Sequence, residues 1–528
     1  MITGFIFHIL PGLLARLEEK VRESAVFSLF QWFWREFTES LTFRAVRAVY
    51  RRIRSLCYES LIGHILARHR HEGRIYEGSF IAFLFDSVMG GITWLLRKIM
   101  GLLTFGTYDS VALSLGRRLL ARMPWLDFEF VSGGLILLML LCPSQLWHNV
   151  YALGMGAALF ALLIILSAVE NRPALRLNTV GMPLVVFAFS TVVGIGVSAD
   201  RSEGVRVFCF FLAAFLFCAS IAGGITEEQK LKKLLAFIYV GVTAAAAVAI
   251  VQRFMGVSVN ATLTDLANNP GMPGRVYSVY ENPNNYAEII VLLFPVAAVW
   301  TTMLTEKYQR LYAMAGLVLP VAAMLMTYSR SSWVGFALAA AVFLFFWNKR
   351  VLPMFFLLAM LAIPLLPQTI WNRILTIGST NDTSNMYRVY VWDAVMHLLR
   401  DHGLTGLGLG PGNFRPIYWQ YTYGSVAAAP HAHMIYLEMW VEMGLLGLGS
   451  YLAYFLTTVR RAVVHFAQAS KSVRLVLIAG VSSLVGIAFV SAAEYIWFYP
   501  RVMFCFFILT GIMAACVSMA RERTSPRP

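Results

Sequence analysis

The chain has 528 residues, 59% of them hydrophobic and only 13% charged. Soluble domains carry about a quarter charged residues, so the composition excludes an ordinary soluble protein and points to a membrane protein. The formal net charge of +15 comes from basic residues that mostly flank apolar runs; this suits anionic lipid headgroups, and no nucleic-acid partner is expected.

Residues 1–126 form a first segment that alternates apolar and basic groups. Arg44, Arg47, Arg51 and Arg54 recur at helical spacing, as do Val46, Val49, Tyr50 and Ile53. That pattern predicts a basic amphipathic helix, cytoplasmic or lying on the membrane surface. No stretch of this segment is expected to reach the roughly 20 apolar residues that a span requires. Residues 127–528 read as a multi-span membrane domain. Spans are expected near 131–147, 149–169, 178–198, 205–224, 232–255, 286–304, 311–328, 332–348, 351–367, 434–459, 473–494 and 501–520. The fold class is therefore all-α, a polytopic membrane protein of about 12 transmembrane helices. The six cysteines include no C-x-x-C spacing, so neither a zinc site nor a disulfide framework is indicated.

Orientation follows from the short loops. With the N-terminus inside, the inner loops collect Arg172, Arg176, Lys230, Lys232, Lys233, Lys307, Arg310, Lys349, Arg350, Arg460, Arg461, Lys471 and Arg474, as the positive-inside rule requires. After residue 127 every lysine falls on that side. The outer basic residues are all arginines: Arg201, Arg206, Arg253, Arg275, Arg330, Arg373, Arg388, Arg400, Arg415 and Arg501. A guanidinium grips phosphate with a planar fork that an ammonium lacks. This set predicts an outer face that binds a phosphate-bearing ligand, with the remaining arginines pairing with acids or lying at the interface.

Two outer loops are long, about 256–285 and about 368–433. The first ends in GRVYSVYENPNNYA, with Arg275 and Glu281; Asn284 and Asn285 read as helix N-cap residues. Next along the chain, TYSRSSWVGF makes a tight turn between two spans and holds Arg330 at the membrane lip. In the large outer loop, Tyr387, Val391, Val395, Leu398 and Leu399 make one face of a helix over 384–403, with Arg388 and Trp392 on a neighbouring face. GLTGLGLGPGNF follows. No strand is expected before it and no helix directly after it, which excludes a dinucleotide fingerprint. His431 and His433 then stand at the start of a span. Such a pair fits a general base or a metal ligand, and equally fits interfacial histidines satisfied by backbone. A metal would want carboxylates nearby, and the outer side has no D-x-D.

Three segments, in this order, resemble the O-antigen ligase and polysaccharide polymerase superfamily of bacterial envelopes. They are ENPNNYA, then SRSSWVG, then the R-x-x-x-W helix with G-x-G-x-G-x-F (Gly408 to Phe414) and H-x-x-Y-L-E-x-x-x-E-x-G-L-L-G (His433 to Gly447). The resemblance covers about 130–520. It implies a GT-C-like fold and a metal-independent, inverting glycosyltransferase without cofactor, a ligase or polymerase in the bacterial inner membrane with its site facing outside. It implies an undecaprenyl-diphosphate-linked glycan as donor and a glycan, lipid or protein hydroxyl as acceptor. By motif position, His433 takes the place of the family's functional histidine, Arg388 and Arg330 of its arginines, and Arg275 a further one; His431 is the second catalytic candidate, and Glu281 and Glu438 are supporting candidates. Met434 stands where the family usually has asparagine, so the hydrogen bond that would orient the imidazole is either missing or supplied elsewhere, with His431 the candidate, and either histidine can be the base. The alternative is a transporter or flippase of lipid-linked glycans. That would need charge at mid-membrane, and the spans read as free of buried charge.

Overall fold

A backbone surrounded by lipid must satisfy its own hydrogen bonds, so long apolar runs become helices and the breaks between them fall at glycine, proline and charged residues. The computed structural model describes residues 79–105, 127–257, 271, 273–362, 364, 367–375, 383–422, 426 and 428–524, with the isolated Ala48 and Arg52. The amphipathic helix expected over 43–56 otherwise lies outside the described residues, as do parts of both long loops. The chain divides into two compact units, Met1–Gly78 with Thr305–Leu311, and Ser79–Leu304 with Tyr312–Pro528. The site lies wholly in the second.

Helices α1 (Phe80–Phe105), α2 (Phe128–Leu141), α3 (Val150–Val169) and the short α4 (Leu177–Val180) come first. They are followed by α5 (Met182–Val197), α6 (Arg201–Gly224), α7 (Glu228–Met255) and α8 (Pro283–Thr302). Then come α9 (Lys307–Gly316), α10 (Val318–Met326), α11 (Arg330–Asn348) and α12 (Leu352–Ala362). The loop helices are α13 (Gln368–Leu375), α14 (Thr383–His402) and α15 (Pro411–Tyr418). The chain closes with α16 (Ile435–His465), α17 (Lys471–Ser491) and α18 (Pro500–Thr524). Every span expected from the sequence overlaps one of these helices. Among the described residues, ten helical segments are long and apolar enough to cross a membrane, and no strand occurs. The protein is an all-α, multi-pass membrane protein.

The expectation that residues 1–126 hold no span-length apolar stretch does not stand. In α1, residues Phe80–Ile99 are long and apolar enough to cross. Asp86, Gly90, Gly91, Arg97 and Lys98 interrupt the linear run, but helical pitch leaves a continuous apolar surface around them. Asp86 accepts from the Leu177 amide at 2.8 Å and Arg97 donates to the Ala168 carbonyl at 3.3 Å, so both charges cap neighbouring backbone.

Helices α8, α17 and α18 form the centre of the bundle: 78%, 78% and 83% of their spans are buried by neighbouring helices. A helix that is apolar all round belongs in such a place. Helix α11 packs along α17 at a point where both present glycine. A Cβ on Gly486 would sit 2.5 Å from the Gly335 carbonyl oxygen, and one on Gly335 2.7 Å from that of Gly486. Small residues let the two backbones meet, which is how helices associate in lipid.

Near its N-terminal end α16 is broken at Gly444, whose φ of 64° and ψ of −161° only glycine adopts readily. The break frees carbonyls that helix geometry would have satisfied. The amides of Leu407 and Gly408 fill them, bonding to the oxygens of Val441 (2.7 Å) and Glu442 (3.0 Å). The G-x-G-x-G segment is thereby stitched to α16. A helix, α15, does follow it directly, contrary to expectation; helix α14, not a strand, precedes it.

The spans are not free of buried charge. Glu288 in α8 and Glu438 and Glu442 in α16 are all 2% exposed or less. All three lie within the first eight residues of their helices, near the N-terminal ends. Glu438 accepts from the Ala432 amide at 2.6 Å and Glu442 from the Gly410 amide at 2.8 Å, which compensates their desolvation.

Candidate functional site

The N-termini of α8, α11 and α16, helix α14 and the turn between α17 and α18 meet at one end of the bundle, and their polar side chains converge there. Glu494, in the α17–α18 turn, is the hub. It pairs with the Nη2 of Arg388 from α14 and accepts from the side-chain Nδ2 of Asn284 at 3.3 Å. Arg388 also donates through Nη1 to Ser384 Oγ at 2.8 Å, one turn earlier on its own helix.

Asn284 hands the network on to Arg275 through Nη2, while Arg275 Nε donates to the Thr327 carbonyl at 2.7 Å. Arg275 is buried, and its pKa is lowered to about 9 by desolvation and by Arg373, Arg330 and Arg388, with Glu494 opposing. Four guanidinium groups therefore share one neighbourhood. Arg330 is the first residue of α11, set by a three-residue turn in which Tyr328 adopts a positive φ of 53°, and it reaches Asn385 of α14 at 3.4 Å. Arg373, on α13, is 7% exposed and donates to the Tyr328 carbonyl at 3.4 Å.

The two histidines sit on the strained approach to α16. His433 holds a positive φ of 50°. Two contacts fix that turn: the Glu438 carboxylate on the Ala432 amide, and His431 Nδ1 accepting from the His433 amide at 3.1 Å. His431 thus orients the backbone of His433 rather than its ring, which differs from the expected imidazole-orienting bond. The His431 ring is closed in by Phe498 (4.4 Å between centroids), His433 (4.1 Å) and Tyr495 (5.5 Å). Burial, His433, Arg415 and Arg388 hold its pKa well below the ordinary value. The His433 ring meets Tyr387 edge-on at 5.4 Å. Its pKa falls to about 4 through burial, with Glu494 opposing and Arg388 reinforcing, so the imidazole is neutral at pH 7. Its Nδ1 is buried without a hydrogen-bond partner, as are Arg388 Nε and Trp392 Nε1. Buried polar groups are normally hydrogen-bonded, so these three have hydrogen-bonding capacity to offer a bound group.

The face expected on α14 is observed: Val391, Val395, Leu398 and Leu399 join Leu407, Phe414 and Tyr418 in one core, with Tyr387 at its edge. That core fixes the rotation of α14 and so aims Arg388 and Trp392. Of the residues singled out in the sequence, Arg275, Arg330, Arg388, His431, His433 and Glu438 come together. Glu281 does not; it lines a separate pocket with Arg501 and Tyr499. The N-cap of α8 is Asn282, which accepts from the Asn284 amide at 2.8 Å. Asn284 is not the cap expected of it but a bridge between Arg275 and Glu494. Sequence reasoning missed Glu494, which closes an apolar run and lies 106 residues from Arg388. The available signal was a lone acid in an aromatic stretch, EYIWFYP, between two spans. Among the described residues, no group of three His, Cys, Asp or Glu side chains is placed to hold a metal ion.

No curated protein matches the chain. Residues 315–452 match the family described as O-Antigen ligase. That stretch holds Arg330, Arg388, both histidines and Glu438, while Arg275, Asn284 and Glu494 meet it from outside the matched range. The chain is a multi-pass membrane protein, and its residues 315–452 are similar to the O-antigen ligase family.

Proposed function

We propose that the protein transfers a glycan from an undecaprenyl diphosphate carrier to an acceptor hydroxyl at the outer face of the bacterial inner membrane, without a metal and with inversion. The observation that carries this reading is a neutral, buried imidazole with an unpartnered Nδ1 next to four clustered guanidinium groups. The acceptor oxygen attacks the anomeric carbon while the bond from that carbon to the diphosphate oxygen breaks. The hydroxyl proton passes to His433 Nδ1, and the electron pair leaves on the lipid diphosphate. Arg388, Arg330 and Arg275 supply the positive field in which that charge develops, which is the largest lever an active site has.

A base whose pKa is about 4 is weak before donor binds. Arrival of a diphosphate opposes the arginine field that helps depress the pKa, so the imidazole gains basicity as the reacting complex forms. His431 and Glu438 are positioning residues that hold the His433 turn. Arg388 is held by Glu494, which the incoming diphosphate replaces as its partner.

The test is transfer by the purified full chain from a defined undecaprenyl-diphosphate oligosaccharide in excess EDTA, with the product linkage assigned by NMR. Undiminished transfer with inverted anomeric configuration is expected. Strict dependence on added Mg²⁺ or Mn²⁺, or retention of configuration, contradicts the proposal.

A further inference from the structure

The turn carrying Glu494 and the loop carrying Asn284 each have a second face, and between those second faces lies a small pocket open to solvent. The two sites are back to back. Phe498 packs on His431 while its neighbour Tyr499 lines the pocket; Asn284 touches Arg275 and Glu494 while Asn285 lines the pocket.

The pocket is built. Arg501 forms one wall, pinned by its bond to the Cys142 carbonyl at 2.8 Å and sandwiched between Trp147 (5.2 Å) and Tyr280 (4.8 Å). Trp147 Nε1 donates to Asn149 Oδ1 at 2.8 Å, which engages the carbonyl end of that amide and leaves its NH₂ end for a ligand. The amide of Ser144 is tied to the Val279 carbonyl at 2.9 Å, closing the floor. Glu281, exposed, stands at the rim.

The chemistry of this lining selects its ligand. One guanidinium, held by aromatic faces, and one carboxylate balance each other, so neither a phosphate nor a cation is matched. Amides, hydroxyls and a carboxylate offer both donors and acceptors, and aromatic rings supply the apolar walls. A neutral, polyhydroxylated ring with hydroxyl edges and apolar C–H faces fits that combination.

We propose that this pocket is a binding subsite for a single neutral sugar unit of a glycan, part of either donor or acceptor, separate from the arginine and histidine site. It rests on the transferase reading only for the expectation that glycan reaches this face.

The experiment is saturation-transfer NMR on the purified full chain in detergent. Two probes are used: soluble glycans freed by mild acid from the lipid-diphosphate fraction of the native membranes, and glycan heads freed from the glycolipid fraction. One fraction should bind wild type and His433→Ala alike, and its identity names the source. Asn149→Ala and Glu281→Gln should each weaken that binding by about tenfold, the worth of a hydrogen bond to a charged or well-placed group. Glu281→Gln is isosteric and exposed, so it carries the test if Asn149→Ala does not accumulate. Failure of both fractions to bind wild type, or unchanged affinity in Glu281→Gln, overturns the proposal. Binding is read without turnover, so a failed transferase reading and a failed pocket are separate results.

Discussion

Arg388 has two roles in this account, and a double substitution separates them. It neutralises Glu494, and it presents a guanidinium whose Nε is buried without a partner. The side chains of the pair are only 17% and 13% exposed. Removing one member of a buried pair costs about 3–5 kcal/mol, because it strands the other charge. Here Asn284 still reaches Glu494 at 3.3 Å, so Arg388→Ala is expected at the lower end, roughly 3 kcal/mol. Adding Glu494→Gln removes the stranded charge and should recover most of that stability, since the two positions are in contact and their effects do not add. Turnover should not return if the guanidinium fork binds the diphosphate as proposed, because that fork is still missing. Arg388→Lys should fail nearly as badly as Arg388→Ala, because an ammonium cannot hold Ser384 and Glu494 and still present a planar donor edge. Thermal unfolding in detergent and transfer rate are measured on wild type and on these three variants. Recovery of turnover along with stability in Arg388→Ala/Glu494→Gln would show that Arg388 is a structural counter-ion, and would remove it from the mechanism.

Three further outcomes follow from the same geometry. Glu438→Ala leaves the buried Ala432 amide unsatisfied, about 1–3 kcal/mol at the turn that sets His433, while Glu438→Gln keeps an acceptor there; transfer rates should fall steeply for alanine and little for glutamine, and equal losses refute the positioning role. Gly444→Ala would put a Cβ 2.3 Å from the Leu404 carbonyl oxygen at a φ of +64°, costing about 1–3 kcal/mol of strain and detaching the 404–410 segment; limited proteolysis there should accelerate, and wild-type resistance contradicts the stitching. The imidazole of His433 should titrate near 4 rather than near 6.5 in histidine-selective NMR. Because its folded pKa is depressed, the unfolded chain takes up a proton between pH 6.5 and 4 that the folded chain does not, so stability falls as pH drops through that window. A midpoint near 6.5 refutes the buried setting.

The helices were legible in the sequence because lipid imposes one solution on an apolar run, and each expected span overlaps a helix. Helix α1 was not, since two glycines and three charges break its linear run without breaking its surface. Within the site, Arg330, Arg388 and the histidines carried local signals: a tight turn, an amphipathic face, a span entrance. Glu494, Asn284 and the shared setting of Arg275 with Arg373 carried none, because their roles come from contacts between loops remote in sequence. The positive φ of His433 is equally invisible to composition, as it is imposed by Glu438 and His431 holding the preceding amides. Glu281 looked like a companion of Arg275, six residues away; the α8 N-cap turns it to the opposite face.

The central claim is that His433 takes the acceptor proton at the edge of the arginine cluster. Single-turnover transfer from a defined lipid-diphosphate oligosaccharide, with donor affinity measured in parallel, tests it on His433→Ala. A rate reduced by roughly 10²–10⁴ with donor affinity little changed is expected, the signature of lost general-base assistance. Near wild-type turnover in His433→Ala would contradict it.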